Sequence, residues 1–132
     1  MSTIEVKAYL SGMFSDRRFH QTQSGLYRWV GTIDGVKIGI VLATRNPSFR
    51  THALNRGDTE SLLAAKRDGK VHEAWIVAAT FAGNGGYTYV DAFEAAELHD
   101  KLVNQPARVG RNGPFWVLDD TIVVVDLDDG WM

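Results

Sequence analysis

LYRWVGTIDGVKIGIVLATRNPSFRTHALNRGDTESLLAAKRDGKVHEAWIVAAT, residues 26–80, decides how the chain is read. It opens with two runs rich in β-branched and aromatic residues, Leu26 to Ile33 and Val36 to Thr44, on either side of Asp34-Gly35. An Asp-Gly pair readily takes the left-handed angles of a two-residue turn, so these runs predict a β-hairpin. The second run, Ile38 to Ala43, is apolar on both faces, which predicts a central strand with a packed layer on each side. Asn46-Pro47 then breaks regular structure. Arg45, Arg50, His52 and Arg56 follow one another closely and read as a basic loop. Asp58 has the chemistry of a helix N-cap, Glu60 suits the positive end of the helix dipole, and Gly69 suits a helix stop; the expected helix is 59–68. Val71 to Phe81 is nearly unbroken apolar sequence and predicts a second central strand.

Outward from this core the signals weaken. Residues 3–10 alternate Ile4, Val6, Ala8 and Leu10 as a strand would, yet Ser2 and Glu5 have capping-box spacing, so strand and helix both stay open. Residues 11–25 read as an irregular connection carrying Arg17, Arg18 and His20. Beyond Phe81, AGNGG supplies a turn, and Tyr87 to Val90 resumes strand. Asp91 and Glu94 repeat the capping-box spacing ahead of an expected helix over 92–104, with Pro106 beyond it. Arg111 to Pro114 predicts a turn, and Phe115 to Leu118 and Thr121 to Val125 predict strands joined at Asp119-Asp120. The fold class is therefore α/β in the mixed α+β sense: a single mixed, central β-sheet, a hairpin-helix-strand core and two main helices. Three layers follow if those helices lie on opposite faces, two if they share one.

The succession of hairpin, helix and strand over residues 26–80 resembles the core layout of the PD-(D/E)XK nucleases. That family sets an acidic residue and a lysine two apart on the second strand to hold a metal and position water. Here Val41 and Ala43 occupy the matching stretch. The resemblance is therefore one of element order, and it implies no nuclease site.

A chain of 132 residues with 45% hydrophobic content is expected to form one globular domain, 1–132, with its own core. Cysteine is absent, which removes thiol catalysis, disulfides and cysteine-based zinc sites, and fits a reducing compartment. Glu5 and Lys7 interrupt any signal-like apolar run, and the apolar stretches fall well short of the roughly 20 residues that span a bilayer. The expectation is a cytoplasmic chain without membrane attachment. Net charge is only −2, yet residues 1–70 hold eleven Lys and Arg against six Asp and Glu, a balance of +5, and residues 71–132 hold three against ten, a balance of −7. Only the first part is suited to a polyanion.

No catalytic set emerges. His20, His52, His72 and His99 lack ligand spacing for a metal, no GxSxG elbow occurs, and Gly83 to Gly86 lacks the GK[ST] ending of a P-loop. Asp126 to Gly130, DLDDG, lacks the glutamate that completes a calcium loop. The sequence thus points to no cofactor and to binding rather than catalysis. Arginine forks match phosphate or carboxylate oxygens, so the candidate ligand-binding residues are Arg45, Arg50, His52 and Arg56, joined by Arg17 and Arg18 if the two loops converge. The expected ligand is nucleic acid or a phosphorylated molecule, with Phe19 or Phe49 available to stack on a base. The alternative is a protein-interaction or regulatory module, including a homodimer, anchored by aromatics such as Phe115, Trp116 and Trp131.

Overall fold

The computed structural model describes residues 3–15, 28–45, 50–81, 87–111, 113–118 and 121–126. The hairpin forms as the Asp-Gly signal requires: β1 (Arg28–Ile33) and β2 (Val36–Arg45) pair antiparallel with Ile33 opposite Val36. Asp34 at φ 49° and Gly35 at φ 78° both lie in the left-handed region, the signature of a type I′ turn. β2 next pairs in parallel with β4 (Glu73–Phe81), from Ile38 opposite Glu73 to Arg45 opposite Thr80. Parallel neighbours need a crossover, which runs through β3 (His52–Asn55) and α2 (Arg56–Arg67).

β5 (Tyr87–Glu94) adds antiparallel to β4 with a register shift at Ala78/Ala79. After α3 (Ala95–Val103) come β6 (Arg108–Gly110), β7 (Gly113–Leu118) and β8 (Ile122–Val125). All eight strands belong to one sheet of order β5-β4-β2-β3-β8-β7-β6, with β1 paired to β2. Both β1 and β3 are antiparallel partners of β2: β1 takes Val36 to Val41, and β3 meets it further on at Thr44 opposite Ala53.

Both faces are packed, as the apolar β2 and β4 demand. Val41, Ala43, Leu54, Ile76, Trp116, Leu118, Ile122 and Val124 gather with Leu62 of α2 and with Leu98 and Leu102 of α3. On the other face Ile38, Ile40, Leu42, Trp75 and Val77 gather with Val6 and Leu10 of α1 (Thr3–Ser15). The two expected helices share a face, and three layers arise because the undecided N-terminal segment is a third helix. Val6 and Leu10 are both buried while Ala8 between them is exposed, so the four-residue spacing of a helix face wins over the two-residue alternation of a strand. α1 is fastened by the Tyr9 hydroxyl donating to the Thr32 carbonyl at 2.8 Å and by Lys7 to Asp91 at 3.2 Å. Gly39 permits close approach of the crossover: a Cβ there would lie 2.8 Å from Leu62 Cδ1 and 3.0 Å from Val71 Cγ1.

Three local expectations are corrected. The basic stretch between Arg45 and Arg56 contains strand β3, which exists because it pairs in parallel with distant β8 as well as with β2. Helix α2 starts at Arg56 rather than residue 59, since Asn55 is the cap: its Oδ1 accepts from the Gly57 amide at 3.2 Å, and Asp58 falls within the first turn. Helix α3 starts at Ala95 because pairing with β4 holds the chain extended as far as Glu94, opposite Trp75. Asp91 is no cap there; its Oδ1 accepts from the Ala92 amide at 2.8 Å. No helix among the described residues is long and apolar enough to cross a membrane.

Candidate anion-binding site

β2 and β4 run in parallel and end side by side, with Arg45 opposite Thr80. β3 runs the other way, so its first residue, His52, belongs to that same end of the sheet. Arg45 and His52 flank the Thr44–Ala53 pair and therefore point to the opposite face from it, the face covered by α2 and α3. In α/β sheets the carboxyl ends of parallel strands are where ligands are commonly bound.

The Arg45 guanidinium is held by a neutral group. Its Nε and Nη2 both donate to Thr80 Oγ1, at 3.3 and 3.1 Å. Two donors meet the threonine oxygen, and neither the hydroxyl's own hydrogen nor Arg45 Nη1 has a partner among the described residues. No carboxylate among the described residues pairs with Arg45. Arg50 is exposed two residues before His52.

His52 is 4% exposed. Its amide donates to the Thr121 carbonyl at 2.8 Å, and its Nδ1 is 3.4 Å from the same oxygen. A carbonyl only accepts, so the tautomer that makes this contact a hydrogen bond is the one with the hydrogen on Nδ1. Nε2 is buried and has no hydrogen-bond partner among the described residues. Burial lowers the histidine pKa below 6.5, the Thr121 carbonyl opposes that shift, and the positive charge of Arg45 lowers it further. His52, expected in a basic loop, is instead a buried residue at the start of β3 beside Arg45.

Arg56 does not join this cluster. Arg56 follows the far end of β3, Asn55, which lies roughly 10 Å along the strand from His52 at about 3.3 Å per residue. Its Nε pairs with Glu60 Oε1 at 2.8 Å, and its guanidinium lies 4.9 Å from the centre of the Trp116 ring. Trp116 itself is core, 6% exposed, and is no surface anchor. Arg17, Arg18 and His20, with Phe19, Phe49 and Trp131, lie outside the described residues. Sequence reasoning missed Thr80 and Thr121. Thr80 ends an apolar run and gains meaning only from the parallel register with Arg45, which no local pattern encodes. Among the described residues no group of three or more His, Asp and Glu side chains could hold a metal ion.

Compared with models of protein families, with curated proteins and with solved structures, the chain matches none.

Proposed function

We propose that the protein binds a phosphate-bearing anion where β2 and β4 end, with Arg45 and Arg50 as charged donors and Thr80 as the hydroxyl that orients Arg45. The observation that carries this reading is the double hydrogen bond from Arg45 to Thr80 Oγ1. A guanidinium positioned by a neutral oxygen keeps its full charge for an external anion, whereas one positioned by a carboxylate does not. Half-burial raises the worth of that charge, because Coulomb attraction strengthens as water is excluded.

One phosphate group fits better than a nucleic-acid strand. Strand binding draws on several cations following the backbone. Here Arg56 and Arg67 are spent on Glu60 and Asp68, and the net charge is −2. Isothermal titration with inorganic phosphate at low ionic strength tests the reading: saturable binding in the wild type and its loss in Arg45→Met support it. A wild type that binds no phosphate ends it. Binding of an oligonucleotide alone, with a steep salt slope, would move the ligand to nucleic acid.

A second reading, self-association, has its own observation. On the side away from α2 and α3, Val117, Val123 and Val125 are only half-buried beside exposed Ala53, and among the described residues the cluster around α1 does not extend past β2 to β3, β8 or β7. Light scattering decides it: a dimer supports this reading and a monomer at high concentration removes it.

A further inference from the structure

We propose that the ligand taken at this site is a phosphorylated polyol, such as a sugar phosphate, and that Thr88 is a further binding residue that meets its hydroxyl end. This rests on the phosphate-binding reading above and adds the chemical class of the ligand to it. The parallel register sets Arg45 of β2 opposite Thr80 of β4, and the antiparallel register sets Thr80 opposite Thr88 of β5. Side chains opposite one another on neighbouring strands point to the same face, so Arg45, Thr80 and Thr88 form one row across three strands. The row opens toward solvent as it leaves the sheet centre. Arg45 and Thr80 are half-buried, Thr88 is exposed, and β5 is the edge of the sheet.

The partners offered along this row change in kind. At one end the Arg45 guanidinium only donates, and in the middle Thr80 Oγ1 already takes two donors from Arg45, which leaves its own hydrogen to give. Both suit phosphate oxygens, which accept. At the other end the exposed Thr88 hydroxyl both donates and accepts, as the hydroxyl of an alcohol does. Beyond Arg45 the row is neutral, so it suits one anionic group followed by uncharged hydroxyls. Neighbouring strands lie about 4.8 Å apart, and the Arg45 guanidinium rests on Thr80. A phosphate held there stands one to two strand spacings from Thr88, about 5–10 Å, which the carbon chain of a sugar phosphate spans. An aromatic ester finds no such partner. Phe81 is 41% exposed and meets Tyr87 edge to face at 5.7 Å, but as the residue after Thr80 it projects to the other face of the sheet.

The experiment titrates the full chain with inorganic phosphate, glycerol 3-phosphate, glucose 6-phosphate and phenyl phosphate, at neutral pH and constant ionic strength. Wild type and Thr88→Val are compared, with folding checked by circular dichroism. Valine keeps the branched shape and strand preference of threonine and removes only the hydroxyl, so a purely structural Thr88 leaves every affinity unchanged. The wild type is expected to bind at least one polyol ester about three- to tenfold more tightly than inorganic phosphate, the worth of one neutral hydrogen bond. Thr88→Val is expected to remove that margin and to leave inorganic phosphate binding as it was. If the valine variant fails to fold, Thr88→Ala carries the same test. A wild type that favours neither polyol ester, one that favours phenyl phosphate over both, or a margin that survives in a folded Thr88 variant overturns the polyol assignment and leaves the phosphate site standing. Binding of none of the four probes defeats the phosphate reading itself.

Discussion

Arg56→Ala separates an arginine that builds the fold from arginines that await a ligand. Arg56 is adjacent in sequence to the same basic stretch as Arg45 and Arg50, so a loop-based view has all three gripping one anion. In the structure its Nε is 2.8 Å from Glu60 Oε1, one helical turn on, with the two side chains 30% and 51% exposed. A half-exposed pair of this kind contributes about 0.3–0.5 kcal/mol. Its guanidinium is 4.9 Å from the Trp116 ring centre, and that contact adds about 0.5–1 kcal/mol. Truncation to alanine should therefore cost about 1 kcal/mol, a fall in Tm of roughly 3–5 °C for a chain of this size. Urea denaturation gives the stability, and phosphate titration of the same sample gives the affinity. The expected result is reduced stability with phosphate affinity unchanged within experimental error. An Arg56→Ala protein of wild-type stability that no longer binds phosphate would refute the assignment and return Arg56 to the site.

Further outcomes follow from the same contacts. Asn55→Ala removes the acceptor for the Gly57 amide and should cost about 1 kcal/mol in chemical denaturation, whereas Asp58→Ala, a first-turn charge, should cost only a few tenths. Gly39→Ala puts a Cβ 2.8 Å from Leu62 Cδ1 and 3.0 Å from Val71 Cγ1 and should lower stability by about 1–3 kcal/mol, because both packed side chains must shift. The His52 pKa lies below 6.5 in the folded chain, so between that lowered value and 6.5 the unfolded chain binds the extra proton. Its contribution is fully present above pH 6.5 and is lost as the pH falls through that window; urea melts from neutral to mildly acidic pH should show the decline, with a shallower one in His52→Phe.

Much of this molecule can be read from local chemistry. Asp34-Gly35 dictates the hairpin because both residues must take positive φ, and the two apolar runs dictate central strands because each face meets a core. Where a competing partner lies far away in sequence, the local signal misleads. HALN at residues 52–55 is too short and too close to arginines to read as strand, and its pairing with Ile122 to Val125 is what makes it one. Residues 3–10 carry both periodicities, and the buried Val6–Leu10 pair against the sheet decides between them. Asp58 is a good cap on paper, but β3 ends at Asn55 and so places the Asn55 side chain at the Gly57 amide. The candidate site divides in the same way. Its charges, Arg45 and Arg50, are visible in the sequence. Its organisation comes from Thr80, supplied by the parallel register of β2 and β4, and from Thr121, supplied by β3–β8 pairing, which also takes His52 out of a loop and buries it. Arg56 leaves the site for a reason equally hidden from local reading, a tryptophan on β7.

A backbone amide map of the protein titrated with inorganic phosphate puts the location of the anion to the test. Saturable shifts should centre on Arg45, Arg50, His52, Thr80 and Thr121, and should vanish in Arg45→Met. Shifts centred instead on Lys66 to Lys70 or on Arg108 to Arg111, or shifts that survive Arg45→Met, would contradict an anion site at the end of β2 and β4.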